Sequence, residues 1–365
     1  MKKLNLATFL YFTANGIAIV AIPPYLRDLG VVRETFIGFI VSTAFLISVI
    51  ARPLSGILGD RVGYVKIMKL GAAAAVGAQI MYLFSSPLWV QIGRVFHGLS
   101  IAMFLPMSIA MSITEGVKSM ASRSLAVGLG NVAGPLLGTL IYDMGGARIA
   151  FLTALALHCI NWFLINGLED YRSRHGVKDR VEKRVFLFMT LLTIYAAVYM
   201  GLSTFILVKL RDLGLSLTLW GVFTTTAALS SLVPRAIMAK KNLVSIINAA
   251  AATATTAFGL LIASAASNYI EFIVAGIIFG VGQGALVTSY QILALAQSKR
   301  AGLASSIYTM GWDLGSIIGP VLGGVLVESL GYSVLYILPV SLFINVAVLF
   351  IYRYHSGRGF SSSPS

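Results

Sequence analysis

Charged residues are scarce in this sequence. Of its 365 residues, 27 are lysine or arginine and 13 are aspartate or glutamate, so 11% are charged while 58% are hydrophobic. A soluble globular domain carries about 25% charged residues, and this chain has too few to cover a folded surface in water. The mean hydropathy of +0.88 points the same way. The composition therefore argues against an ordinary soluble protein and favours a membrane protein.

Cysteine and histidine are rare as well. The chain has a single cysteine, Cys159, and 4 histidines, so an intramolecular disulfide is impossible. The histidines are scattered, and no His, Cys and carboxylate residues share the spacing of metal ligands. The sequence also lacks the Gly-x4-Gly-Lys-Ser/Thr loop that binds nucleotide phosphates. We therefore expect no enzyme activity, no catalytic residues, no metal, no cofactor and no use of ATP.

Long apolar runs are what the sequence does contain. Each is long enough to cross the roughly 30 Å hydrocarbon core of a membrane as a helix. Strands of a membrane barrel would instead alternate over about ten residues. The sequence therefore predicts an all-α integral membrane protein with twelve transmembrane helices. The runs cover about 4–25, 36–58, 66–85, 88–114, 121–142, 147–168, 185–208, 217–239, 243–266, 270–297, 301–327 and 332–352.

The basic residues lie mostly on one side of this predicted topology. The opposite side keeps only Arg27, Arg33, Arg148, Lys209 and Arg211. By the positive-inside rule, both termini are expected in the cytoplasm of a multi-pass protein of the cell membrane, either a plasma or an inner membrane. The net charge of +14 is thereby explained by topology, and we expect the lipid bilayer but no nucleic acid as a partner.

The first apolar run has two possible interpretations. Basic residues followed by apolar sequence also begin a secretory signal peptide. Here the run is long, ends in Pro23 and Pro24, and lacks a small-residue cleavage site. We therefore expect it to be the first transmembrane helix.

Two stretches recur about half a chain apart. The string 26–30, Leu-Arg-Asp-Leu-Gly, returns unchanged at 210–214. The glycine and proline pattern of 130–138 returns at 315–323, so the two offsets agree to within one position. Two parallel repeats in a membrane chain are typical of a transporter with its site between the halves. The predicted domains are an N-terminal six-helix bundle (1–168), a cytoplasmic linker (169–184), a C-terminal six-helix bundle (185–355) and a flexible tail (356–365).

The loop after the second predicted helix carries a family resemblance. Residues 56–63 read Gly-Ile-Leu-Gly-Asp-Arg-Val-Gly, which resembles the hallmark of the major facilitator superfamily between its second and third helices. Tyr64 and Val65 depart from the basic pair that is usual there. The resemblance implies two six-helix bundles related by pseudo-twofold symmetry, secondary active transport and alternating access. It also implies a gating role for this loop, at Gly56, Asp60, Arg61 and Gly63.

The fourth predicted helix contains an arginine in an apolar setting. Gly93-Arg94-x3-Gly98 resembles the arginine motif of the same helix in the family, where the arginine is linked to proton coupling or substrate contact. A charge inside the bilayer costs about 2.5–3.5 kcal/mol on insertion scales, so Arg94 is expected to face a cavity or an acceptor. His97 shares its helical face and is a cavity candidate, although a lone histidine also serves for packing.

The fifth helix resembles the motif of proton-coupled drug and sugar efflux members of the family, and the eleventh helix repeats it. Glycines spaced by four residues let helices approach closely, and proline bends them, so a packing role is the alternative to an antiport signature. The residues are Gly130, Gly134, Pro135 and Gly138, with Gly315, Gly319, Pro320 and Gly323 in the second half.

Asp313 is the acidic residue that lies well inside a predicted helix. An ionisable side chain in the bilayer is a functional candidate by default. It shares a helical stripe with Thr309 and Ser316. We expect it to bind the coupling proton or a cationic substrate, and the alternative is a structural pair with a basic residue.

A set of polar residues completes the predicted site. In the family, helices 1, 4, 7 and 10 line the central cavity, and in this chain those helices carry polar stripes. Aromatic residues in membrane helices also serve in packing, so each position alone is a weak indicator. The candidates for the substrate cavity are Tyr11, Asn15, His97, Tyr195, Tyr199, Gln283, Tyr290 and Thr309.

The sequence therefore predicts a secondary active transporter, with proton-coupled export of a small drug-like or amphipathic solute as the first hypothesis. Proton-coupled symport of a sugar or another metabolite is the alternative. A membrane sensor with the same fold that transports nothing is the second alternative. The partners expected are a small-molecule substrate and the bilayer, with a monomer as the functional unit.

Overall fold

The structure is a computed structural model that describes residues 2–114, 117–170, 182–240, 244–295 and 301–359. Within these ranges every regular element is a helix, and turns and short loops connect the helices. The N-terminal half holds α1 (Lys2–Asp28), α2 (Glu34–Val62), α3 (Tyr64–Tyr82), α4 (Pro87–Thr114) and α5 (Val117–Asn166). The C-terminal half holds α6 (Lys183–Asp212), α7 (Thr218–Ser230), α8 (Leu232–Lys240), α9 (Ile246–Ala265), α10 (Tyr269–Leu295), α11 (Ala301–Leu330), a 3-10 turn (Gly331–Ser333), α12 (Val334–Val340) and α13 (Phe343–Gly359).

These helices differ from the predicted spans at three places. The predicted fifth and sixth helices are joined in α5, where Gly146 interrupts the helical backbone with φ 74° and ψ 179°. The predicted eighth helix is divided into α7 and α8, and the twelfth into α12 and α13. Among the described residues, eight helical stretches are long and apolar enough to cross a membrane. The count of twelve stays a prediction.

The predicted domain limits are only partly covered by the structure. Residues 171–181 of the predicted linker and residues 360–365 of the predicted tail lie outside the described ranges. Residues 356–359 belong to α13, so this helix continues beyond the predicted boundary at residue 355.

The glycine-rich faces of α5 and α11 lie against the first helix of their own half. A methyl group built on Gly134 would fall 2.8 Å from the Cα atom of Gly16 in α1. In the second half, a methyl group on Gly201 of α6 would fall 2.7 Å from the carbonyl oxygen of Gly319. In the repeat, Gly201 corresponds to Gly16, and Gly319 corresponds to Gly134. The repeat in the sequence is therefore a repeated close helix contact, of the kind small residues permit.

Two helix pairs make most of the contacts between the halves. α2 packs against α11, and α5 packs against α7. The Ser42 hydroxyl donates to the Ile317 carbonyl at 2.9 Å across the first pair. These contacts leave a cavity between the halves, near the middle of the helices.

Candidate functional site

The central cavity has a volume of about 410 Å³ and is lined by both halves of the chain. Ligand sites in proteins commonly have volumes of about 300–1,000 Å³, so this one suits a small organic molecule. Six of the residues singled out in the sequence line it. They are Tyr11, Asn15, Pro135, Tyr199, Gln283 and Asp313.

Asp313 in the cavity wall forms an ion pair with Arg52 of the opposite half. Arg52 Nη1 lies 2.7 Å from Asp313 Oδ2, and Nη2 donates to Oδ1 at 3.0 Å. Two such contacts orient the guanidinium and the carboxylate toward each other. The Asp313 side chain is 3% exposed and that of Arg52 is 22% exposed. The acid expected to bind a proton or a cation is thus already paired with an internal cation.

The backbone of Arg52 lies further from the Ser42–Ile317 contact than the backbone of Asp313 does. It lies ten residues after Ser42, about 15 Å along α2, whereas Asp313 lies four residues before Ile317, about 6 Å along α11. The arginine side chain therefore points back along α2 toward the cavity. In the sequence, Arg52 is one of the many basic residues on the side of the predicted topology that we expect in the cytoplasm. The signal for its second role was its place before Pro53, still inside an apolar helix.

The N-terminal half contributes one wall of the cavity. The Tyr11 hydroxyl is hydrogen-bonded to the Ser100 hydroxyl at 2.8 Å, and its ring stacks on Phe104 with centroids 3.8 Å apart. Asn15, one turn further along α1, is 6% exposed, and its Oδ1 atom has no hydrogen-bond partner among the described residues. This wall offers a fixed aromatic ring and a free amide acceptor.

The C-terminal half contributes an aromatic wall. The rings of Tyr199 and Phe279 stack at 5.5 Å with an interplanar angle of 9°. Trp312, adjacent to Asp313 on α11, lies 6.1 Å from the Tyr199 ring. Aromatic faces provide apolar contact area, and Tyr and Trp keep a polar edge for hydrogen bonds. The cavity therefore combines aromatic walls with amides and one ion pair.

The structure places the other predicted cavity residues elsewhere. His97 is buried inside the N-terminal half, where its Nδ1 atom is 3.1 Å from the Tyr82 hydroxyl. Tyr290 is buried in the C-terminal half and bonded to the Thr253 hydroxyl at 2.9 Å. Tyr195 lies behind Tyr199, with ring centroids 6.3 Å apart, and Thr309 lies on an exposed face of α11. Membership of a cavity-lining helix did not fix which of its faces meets the cavity.

Arg94 makes its contacts inside the N-terminal half. Its Nε atom donates to the Ile40 carbonyl at 3.3 Å, and its Nη2 atom donates to the Val41 carbonyl. The side chain is 2% exposed. Arg94 thus has the acceptors that its apolar setting requires, on the backbone of α2.

The predicted gating loop is described in part. Gly63, with φ 118°, separates α2 from α3, and Arg61 and Gly56 lie on the last turns of α2. The side chain of Asp60 falls outside the described part of the structure. Asp170 accepts the backbone N–H of Val65 at 2.9 Å, so an acid does lie at the start of α3. No sequence pattern indicated that Asp170 would have this contact.

The two copies of the repeated string meet at the far ends of α1 and α6. Arg27 Nε is 3.0 Å from Asp212, and Arg211 Nε is 2.6 Å from Asp28. Each arginine thus binds the aspartate of the other copy. We call these four residues the clasp. Two tyrosines support it, since Tyr142 donates to Asp28 at 2.6 Å and Tyr332 donates to Asp212 at 2.5 Å.

Two helix caps cross between the halves next to the clasp. Asp143 accepts the backbone N–H groups of Leu217 and Thr218 at 3.1 and 2.8 Å, at the start of α7. Glu328 accepts the N–H of Thr35 at 3.2 Å, at the start of α2. Asp143 and Glu328 occupy matching positions in the repeat. A carboxylate at a helix N-terminus satisfies free N–H groups and the helix dipole, so each cap ties one half to the other.

Apolar helices in two repeated halves, with a cavity between them that contains an ion pair, are the arrangement of a membrane transporter. The chain belongs to the Major Facilitator Superfamily, whose sequence model matches residues 4–298 and 249–363. The family and the relatives below are transporters, and the protein is a transporter rather than an enzyme.

Several relatives are efflux proteins. The chain is 24% identical to the staphylopine export protein of Staphylococcus aureus, over 99% of this chain and 97% of that protein. It is 21% identical to the multi-drug resistance efflux pump PmrA of Streptococcus pneumoniae, over 89% of each chain.

Solved structures show the same fold. The nucleoside transporter NupG superposes with a TM-score of 0.73 at 12% identity, covering 96% of this chain and 98% of that chain. The human organic anion transporter MFSD10 superposes with a TM-score of 0.69 at 14% identity, covering 95% and 98%.

Proposed function

We propose that this protein exports a small amphipathic molecule from the cell in exchange for protons. The observation that carries the proposal is the ion pair between Arg52 and Asp313, in the wall of a cavity between the halves. Asp313 is the carboxylate of the pair and accepts the coupling proton. Protonation removes its charge and releases Arg52, and loss of the proton restores the pair. Substrate and proton thus compete for one site.

In this proposal the substrate moves outward by alternating access, in which the cavity opens to each side of the membrane in turn. With the basic loops in the cytoplasm, the clasp lies at the outer face of the membrane, and both termini lie inside. The clasp and the two caps hold the outer ends of the halves together, which leaves the cavity to be reached from the cytoplasmic side. Protonation of Asp313 and release of the substrate belong to the opposite, outward-open state. The efflux relatives support export rather than uptake.

Proton release from acidified everted vesicles tests the proposal. A compound panel is added to vesicles that hold wild-type protein or the Asp313→Asn variant, each at matched amounts of folded protein. Glu271→Gln is the control, because this half-buried acid lies in the first turn of α10 and bonds locally, to Ser267 and Asn268. We expect at least one compound to collapse the gradient in wild type and control but not in Asp313→Asn.

Equal responses of all three proteins would show that Asp313 has no role in proton coupling. Uptake of metabolites along the gradient, without any release, would favour symport instead.

A further inference from the structure

The cavity that would hold the substrate carries no net charge. Among its lining residues that the structure describes, Arg52 and Asp313 are the charged ones, and they neutralise each other. The cavity lining around them is mostly apolar, and the Asp313 and Arg52 side chains are 3% and 22% exposed. A buried charge is costly unless it is paired, and removal of one partner strands the other. A molecule that binds in the cavity therefore has to leave neither Arg52 nor Asp313 without a charged partner.

Three kinds of charged ligand can be compared on this basis. A cation that binds Asp313 displaces Arg52 and leaves the guanidinium unpaired in the cavity. An anion that binds Arg52 leaves Asp313 unpaired in the same way. A molecule with both an ammonium and a carboxylate group replaces one internal ion pair by two pairs with the substrate. This last exchange alone keeps every charge matched.

The remaining lining residues suit the body of such a molecule. Tyr199 and Phe279 form a stacked aromatic surface, and Trp312 stands next to Asp313. The Asn15 Oδ1 atom is buried and has no hydrogen-bond partner in the described part of the chain, so it is available to an N–H group. The volume of about 410 Å³ limits the molecule to the size of an aromatic amino acid or a short peptide. The cavity thus offers an aromatic surface to the ring of such a molecule, an acceptor to its N–H group and an ion pair to its two charges.

We infer that the cavity selects small zwitterions, with one ammonium group toward Asp313, one carboxylate toward Arg52 and an aromatic body against Tyr199. This substrate class rests on the proposed transport function and narrows the amphipathic solute proposed there. It also gives Arg52 a role in specificity.

A charge series on one scaffold tests the inference by direct binding. L-phenylalanine is the zwitterion, its methyl ester the cation, N-acetylphenylalanine the anion, and N-acetylphenylalanine methyl ester the neutral form. Binding to purified protein in lipid nanodiscs is measured by calorimetry. We expect wild type to bind the zwitterion about tenfold more tightly than the other three. Arg52→Gln is expected to shift the preference to the cation, and Asp313→Asn to the anion.

Several results of this binding series would overturn the inference. Equal or tighter binding of the cation by wild type, or no binding of any member of the series, overturns the zwitterion inference. So does an unchanged order of preference in Arg52→Gln, provided that its thermal unfolding shows it to be folded. None of these outcomes affects proton exchange with other compounds in the vesicle assay. Loss of proton exchange there, with zwitterion selectivity intact, would remove the coupling proposal and keep this one.

Discussion

Arg211 and Asp28, from different halves of the chain, form an ion pair of 2.6 Å. Its counterpart joins Arg27 to Asp212 at 3.0 Å. Two copies of one five-residue string thus bind each other reciprocally. These bonds form only when the ends of α1 and α6 are adjacent, so the clasp belongs to the state in which this end of the transporter is closed.

The first prediction concerns the clasp. We expect Asp28→Asn combined with Asp212→Asn to favour opening of this end. Exposed ion pairs contribute about 0.2–1 kcal/mol each, so the loss of both pairs is expected to raise the population of open molecules about two- to thirtyfold. The reporter is Ser203→Cys, at a residue that lines the cavity, in a background where Cys159 is replaced by Ser. Its labelling rate by a membrane-impermeant maleimide from the clasp side is expected to rise accordingly.

A charge reversal provides the control for this experiment. Asp28→Arg alone is expected to speed labelling, and its combination with Arg211→Asp to restore the wild-type rate. If the combined variant labels as fast as Asp28→Arg, the pair does not hold the ends together.

The second prediction concerns the cap on α7. Asp143→Ala removes the acceptor for the Leu217 and Thr218 N–H groups. We expect it to destabilise the closed state of this end by about 1 kcal/mol, the usual contribution of a helix cap. Asparagine keeps an oxygen there, so Asp143→Asn is expected to have the smaller effect. The labelling rate of Ser203→Cys measures the effect of each variant, and it is expected to rise more in Asp143→Ala than in Asp143→Asn. Equal effects of the two variants would show that the charge, and not the cap, is what matters.

The third prediction concerns close packing of α5 on α1. Gly134→Ala places a methyl group against the backbone of Gly16, and overpacking of this kind costs about 1–3 kcal/mol. We expect a lower midpoint of thermal unfolding in detergent. Gly128→Ala is the matched control, since a methyl group there meets no atom within 4 Å among the described residues. Equal stability of both variants would contradict the contact.

The fourth prediction separates two roles of Arg94. Its guanidinium donates to the carbonyls of Ile40 and Val41, and bonds from a charged donor contribute about 1.5–3 kcal/mol. We therefore expect Arg94→Gln to lower thermal stability by a similar amount. Normal stability with lost proton release would instead support the coupling role that the family resemblance implies.

The sequence indicated the architecture well because repeats and long apolar runs are visible without three-dimensional information. The common offset between the halves also related Asp143 to Glu328 and one glycine pattern to the other. It did not show that the repeated strings bind each other. That contact depends on how the two halves face one another, which no local pattern encodes.

The site was predictable in part for a similar reason. Asp313 stood out because an acid inside an apolar helix is rare. Its partner Arg52 was counted as a topology signal, since its long side chain reaches the cavity from a helix end. His97 and Tyr290 lie on cavity-lining helices, but on faces that turn into their own halves.

The most direct test of proton coupling separates substrate exchange from proton-driven transport in one preparation. Proteoliposomes with wild-type or Asp313→Asn protein are loaded with a compound that passes the vesicle screen. Counterflow of the labelled compound is measured first without a gradient, and then transport is measured with an imposed pH gradient. We expect Asp313→Asn to keep counterflow and to lose the response to the gradient. Gradient-driven transport at the wild-type rate by Asp313→Asn would contradict a coupling role for this acid.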